Sequence, residues 1–100
     1  MAELTIVYWR DIPAQVIVRR GRKAERRELP KRFIQAVDRA AMKAGLAQSD
    51  AYLEAWRKGP PITCGDDLVT QADNAAAEIE KRYDIQRLKL LIENDGWETR

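Results

Sequence analysis

Residues 4–18 read LTIVYWRDIPAQVIV, and this stretch decides the fold class. Along residues 4–9 the side chains are apolar and rich in β-branched and aromatic types, which β-strands prefer. Residues 10–13 interrupt the strand, because Asp and Pro favour a turn. A second alternation follows, with Val16 and Val18 on one face. The pattern predicts an antiparallel β-hairpin whose first strand, apolar on both faces, is the more central one.

Helical spacing replaces this alternation after Leu29. Pro30 suits the first turn of a helix, and Gly45 is a plausible stop. A second helix is predicted to begin at Ser49 or Asp50 and to end by residues 59–61, Gly-Pro-Pro, with Leu53 and Trp56 turned inward. The apolar stripe of the first helix comprises Phe33, Val37, Ala40, Ala41 and Ala44.

The second half of the chain predicts one more strand and further helices. Residues 62–65, Ile-Thr-Cys-Gly, read as a short third strand. Asp66 and Asp67 are expected to cap the next helix, and Asp84 a last one. We therefore predict an α+β fold in one domain over residues 1–100. A small antiparallel sheet, made of the hairpin and the third strand, would be packed by three to four helices.

The composition excludes several classes of function. The chain has no histidine and a single cysteine, Cys64, so triads and Cys–His pairs cannot form. Neither a metal nor a cofactor is predicted, since capping is the expected role of Asp66 and Asp67. No apolar run is long enough to span a membrane, and the first one stops at Arg10. We expect a soluble, cytoplasmic protein that needs no disulfide.

Charge is uneven along the chain. Residues 1–50 hold 11 Lys and Arg against 6 Asp and Glu, whereas residues 51–100 hold 7 against 10. The excess is concentrated in a segment that we read as a loop between the second strand and the first helix. Such a segment can bind an anionic partner, and arginine suits carboxylate or phosphate contacts. The predicted partner-binding residues are Arg19, Arg20, Arg22, Lys23, Arg26 and Arg27, with Tyr8 and Trp97 as aromatic anchors.

Several interpretations stay open at the level of sequence. The basic segment fits docking on an acidic protein face, nucleic-acid binding, or a merely solvated loop. Cys64 fits a buried thiol or a nucleophile, although no histidine is present to serve as its base. Trp97 either folds back onto the core or anchors a partner. The sequence pattern does not indicate an oligomeric state.

Four segments, taken in order, resemble the small bacterial family known as the conserved virulence factor domain. They are Leu4–Pro13, the Arg-rich turn after Gly21, Leu29-Pro30 leading to Phe33, and residues 64–67, Cys-Gly-Asp-Asp. The resemblance covers nearly the whole chain, and its most distinctive part is the string Tyr-Trp-Arg-Asp-Ile-Pro.

The resemblance implies a role but no reaction. Larger relatives carry the domain beside scaffold-like and helical-repeat modules, and stand-alone members are associated with one-carbon methyl-transfer gene sets. The family has no established catalytic residues that could be transferred to this chain. The leading expectation is therefore a non-catalytic accessory module that docks on a larger cytosolic protein or enzyme. Nucleic-acid binding through the same basic residues is the alternative, and a small enzyme subunit with Cys64 chemistry is the second one.

Overall fold

The computed structural model describes residues 1–98 and confirms the α+β class. An antiparallel sheet is formed by β1 (Ala2–Trp9), β2 (Ile12–Arg20), β3 (Lys23–Glu28), β4 (Trp56–Lys58) and β5 (Ile62–Cys64). The helices are α1 (Lys31–Lys43), α2 (Asp50–Glu54), α3 (Leu68–Arg82) and α4 (Ile85–Glu93).

The predicted hairpin is present, and its first strand is central as expected. β1 pairs with β2 along one side and with both β4 and β5 along the other, in the strand order β3-β2-β1-β4. Between β4 and β5 the ladder is continued by Gly59, whose N–H donates to the carbonyl oxygen of Ile6 at 2.8 Å. The two short strands thus cover most of the outer edge of β1.

The two faces of the sheet have different surroundings. Leu4 lies opposite Val18 and Ile6 opposite Val16, and these four residues form part of the hydrophobic core. The same core includes Ala72 and Ile79 of α3. Small alanine side chains along α3 allow its backbone to approach the sheet closely. The face directed at α3 is therefore the buried one.

Helices α1 and α4 form the rest of the core. The buried side of α1 is the predicted stripe, although Ala44 at its end is partly exposed. α4 contributes Leu88 and Leu91. The helices begin where the sequence predicts them, because the side chains of Ser49, Asp67 and Asp84 accept hydrogen bonds from backbone N–H groups of the following turns.

Three expectations about the middle of the chain are wrong. The basic segment expected to be a loop forms strand β3, which pairs with β2 along its whole length. Trp56 belongs to strand β4 and not to a helix, although its half-buried side chain packs against the core as expected. Leu53 is 65% exposed instead of facing inward. The helix α2 ends early because β1 offers a free edge, and Trp56 pairs there with Trp9.

Trp9 occupies the centre of this packing and is completely buried. Its indole N–H donates to the carbonyl oxygen of Tyr52 at 3.0 Å, and its ring lies 5.7 Å from that of Tyr52. Gly96 lies against the other part of the ring: a Cβ on Gly96 would be 2.8 Å from Cζ3 of Trp9. With a φ of +91°, Gly96 also has a backbone conformation that favours glycine.

Gly96→Ala should destabilise the protein more than Gly45→Ala. Both glycines have positive φ, so each alanine adds about 1–2 kcal/mol of backbone strain. Only at Gly96 does the new methyl group also collide with a buried ring, which adds roughly 1–3 kcal/mol. Urea denaturation of the two variants measures the difference. Equal losses of unfolding free energy would contradict the close packing of Gly96 on Trp9.

Candidate functional site

The β2–β3 hairpin carries all six predicted basic residues. Arg20 pairs with Lys23 across a two-residue turn formed by Gly21 and Arg22. Gly21 has a φ of +60°, as tight hairpin turns with glycine at their first position require. The basic residues are thus held on a regular, hydrogen-bonded scaffold.

Strand alternation divides these residues between the two faces of the sheet. Arg27 belongs to the face directed at α3, since its Nε donates to Asp73 Oδ1 at 2.6 Å. Its neighbour Arg26 therefore points to the opposite face, which we call the outer face. Arg19 shares that face, because it lies two residues along from Ile17, the cross-strand partner of Arg26.

Arg27 has a structural role. Besides Asp73, it contacts Glu25, with Nη1 2.7 Å from Oε2. Its side chain is 30% exposed. The hydrogen bonds to Asp73 and Glu25 raise the pKa of Arg27 above its already high ordinary value. Arg27 thus links β3 to α3 through Asp73.

Four other cations of the hairpin have exposed side chains. Within residues 1–98, Arg19, Arg22, Lys23 and Arg26 form no ion pair, and all four are exposed. Arg20 forms one long ion pair, with its Nε 3.9 Å from Asp66 Oδ1. The outer face also presents Thr5 and Val7, both half-buried. Arg19 and Arg26 therefore border a small, partly apolar surface on the outer face. Lys23, three residues before Arg26, lies on the face directed at α3, beside Asp66 and Asp67.

The predicted aromatic anchors lie elsewhere. Tyr8 is five residues along β1 from Glu3, the cross-strand partner of Arg19, which is about 16 Å away at the rise of an extended strand. Trp97 lies beyond α4 and is half-buried, with the Arg10 guanidinium 5.0 Å from its ring centre. The structure therefore does not bring Tyr8 and Trp97 together with the basic residues of the hairpin.

Tyr8 instead lines a cleft of about 210 Å³ between β1 and α3. The guanidinium of Arg57 lies 4.6 Å from the Tyr8 ring centre, and that of Arg87 lies 4.0 Å from the ring centre of Tyr83. Burial raises the pKa of Tyr83, and the positive charge of Arg87 only partly offsets this effect. Sequence reasoning missed Arg57, because the contact of β4 with β1 that places it on Tyr8 is long-range. It also missed Tyr83 and Arg87, although their spacing of four residues was a local signal.

The distinctive string Tyr8–Pro13 contacts the segment that follows α4. The N–H of Asp11 donates to the carbonyl oxygen of Gly96 at 2.8 Å, and its carboxylate accepts from the N–H of Glu98 at 2.7 Å. Arg57 donates to the same carboxylate at 3.0 Å. Arg10 donates to the carbonyl oxygen of Asp95 at 2.7 Å. The string thus has a structural role in holding the segment after α4.

Cys64 lies at the end of β5, half-buried and opposite Ala2. Burial raises the pKa of the Cys64 thiol, and the carboxylate of Asp66 raises it further. Both effects favour the neutral thiol, whereas a nucleophilic cysteine needs its thiolate. The environment of Cys64 therefore disfavours the reactive thiolate form.

Of the two expected cap residues, Asp66 and Asp67, Asp67 is the N-cap of α3. Asp67 accepts hydrogen bonds from the N–H and the hydroxyl of Thr70, at 3.2 and 2.9 Å, which lower the pKa of its carboxyl. It is therefore a helix cap. Among residues 1–98 no group of three or more His, Cys, Asp or Glu side chains is placed to hold a metal ion. Nor does this part of the chain contain a helix long and apolar enough to cross a membrane.

These features define a small α+β domain with a helix-covered sheet face, an outer face bordered by arginines, and a turn that holds the segment after α4. The sequence matches the Virulence factor family over residues 7–92, so the chain belongs to this family. The match confirms the resemblance inferred from the string at Tyr8–Pro13 and the segments that follow it. Neither the curated proteins nor the solved structures contain a significant match.

Alkylation of Cys64 should be slow at neutral pH and should increase with pH, with a midpoint above that of an ordinary thiol. The measurement is the rate of iodoacetamide labelling against pH, with the urea-unfolded chain as the reference. Asp66→Asn should lower the midpoint only in the folded protein, since it removes the nearby negative charge while burial remains. A folded midpoint below the unfolded one would instead identify an activated thiolate.

Proposed function

We propose that this protein is a non-catalytic accessory module that docks on a larger cytosolic protein through the β2–β3 hairpin. The observation that carries the proposal is the set of exposed cations without ion pairs, Arg19, Arg22, Lys23 and Arg26, on a rigid hairpin. Acidic side chains of a partner would supply the missing counter-charges. The family resemblance favours an enzyme of one-carbon metabolism as that partner.

The scaffold supports this use of the arginines. Arg26 stands opposite Ile17, which is only 6% exposed, so its backbone is fixed by a well-packed strand. The planar fork of a guanidinium suits a paired contact with a carboxylate, and the strand fixes the point from which it extends. The half-buried Thr5 and Val7 add a flat surface beside the charges. Such a combination favours a protein partner over a purely electrostatic ligand.

Acidic side chains on the same face argue against nucleic acid. Arg19 lies opposite Glu3, and Glu28 follows two residues after Arg26, so the outer face alternates in sign. A phosphate backbone would be repelled at the two glutamates. A protein face with both charges can match this pattern, which gives specificity as well as attraction.

Reversing two hairpin charges should abolish docking without unfolding the protein. Arg22→Glu combined with Arg26→Glu places like charges against an acidic partner and should reduce the recovered partner at least ~10-fold. Arg19 is left unchanged because a glutamate there would face Glu3 and weaken the sheet. The measurement is a tagged pull-down from native extract at near-physiological salt, with the partner quantified by mass spectrometry.

The matched control is Arg39→Glu on α1 combined with Lys89→Glu on α4, which changes the net charge equally on a surface away from the hairpin. It should recover the partner as the unmodified protein does, and both double variants should keep the original melting temperature. Equal losses in the two variants would indicate a non-specific charge effect. Recovery of nucleic acid with a steep salt dependence, and of no stoichiometric protein, would replace the proposal by the nucleic-acid alternative.

A further inference from the structure

A second surface lies away from the hairpin, between α1 and α2. A groove of about 550 Å³ separates the C-terminal half of α1 from the segment that leads into α2. Its base includes the buried Ala41 and the half-buried Tyr52. The volume is within the range of ~300–1,000 Å³ that is typical of ligand sites.

The walls of the groove expose two large apolar side chains. Met42 of α1 is 71% exposed and Leu53 of α2 is 65% exposed. A single exposed apolar side chain needs no explanation, but two that border the same apolar groove indicate a contact surface. Methionine is flexible and polarizable, so it adapts to the shape of whatever packs against it.

The rim of the groove is acidic. Asp38 and Asp50 both line it, and both are exposed. Neither carboxylate takes part in an ion pair within residues 1–98. Lys43, one residue after Met42, is engaged by Asp95, with Nζ 3.2 Å from Oδ1. The negative charge at the rim is therefore not neutralised by this lysine.

We propose that the groove is a docking site for a basic amphipathic helix of a partner protein. The apolar face of such a helix would cover Met42 and Leu53, as in other helix-in-groove complexes. Its Lys or Arg side chains would pair with Asp38 and Asp50 at the rim. This site does not depend on the function proposed for the hairpin, since it lies on other elements and requires a partner of opposite charge.

Peptide selection with the full chain tests the proposal. Random peptides of about 16 residues, roughly four helical turns, are displayed on phage and selected on the protein after depletion on Met42→Glu. Met42 is mostly exposed, so this variant should keep the fold. Enriched peptides should carry apolar residues at helical spacing together with Lys or Arg. A synthetic copy should bind Met42→Glu, and the double variant Asp38→Lys with Asp50→Lys, at least ~10-fold more weakly.

The control variant is Leu90→Glu, which puts the same charge at an equally exposed apolar position on α4. It should bind the selected peptide with unchanged affinity. The proposal is overturned if no peptide is enriched, if the enriched peptides are acidic, or if Leu90→Glu weakens binding as much as Met42→Glu. It is also overturned if sedimentation shows a dimer that Met42→Glu dissociates, because a second copy would then occupy the groove.

Discussion

The burial of Trp9 is the constraint on which the rest of the structure depends. Its ring is completely covered, and its indole N–H finds a partner in the carbonyl group of Tyr52. To achieve this, the chain must bring α2 and Gly96 to the same end of β1. The neighbouring Arg10 and Asp11 then bind the backbone after α4 through hydrogen bonds that are independent of the ring. The string Tyr8–Pro13 thus connects β1 with α2 and with the segment after α4.

Two surfaces of opposite charge remain available on this frame. The β2–β3 hairpin presents exposed arginines, and the α1–α2 groove presents an apolar base with Asp38 and Asp50 at its rim. Met42 and Arg26, the side chains on which the two proposed contacts most depend, are both exposed. With both proposed docking surfaces, the domain would hold two proteins near each other, as in the scaffold-like context that the family resemblance implies.

The sequence predicted those elements whose apolar side chains follow a regular period. The hairpin and the apolar stripe of α1 are of this kind. The caps Asp67 and Asp84 were predictable from residue type, because aspartate is a preferred N-cap. Strand β3 escaped detection because its six residues, Lys-Ala-Glu-Arg-Arg-Glu, contain no large apolar side chain. Such a strand forms only because β2 offers a partner, and its charges suit an exposed edge. The same long-range effect placed Arg57 on Tyr8, 49 residues away, which no local pattern shows. Arg87 lies on Tyr83, four residues before it, a spacing that the sequence does contain.

The contact between Trp9 and Gly96 also sets the order of events during synthesis. The ribosome completes β1 and β2 early, and these strands can pair as soon as they emerge. Gly96, however, is made 87 residues after Trp9. At about 5–20 residues per second, the ring of Trp9 lacks its contact with Gly96 for roughly 4–17 s after its own synthesis. During this interval, the part of the Trp9 ring that Gly96 covers stays exposed on the nascent chain.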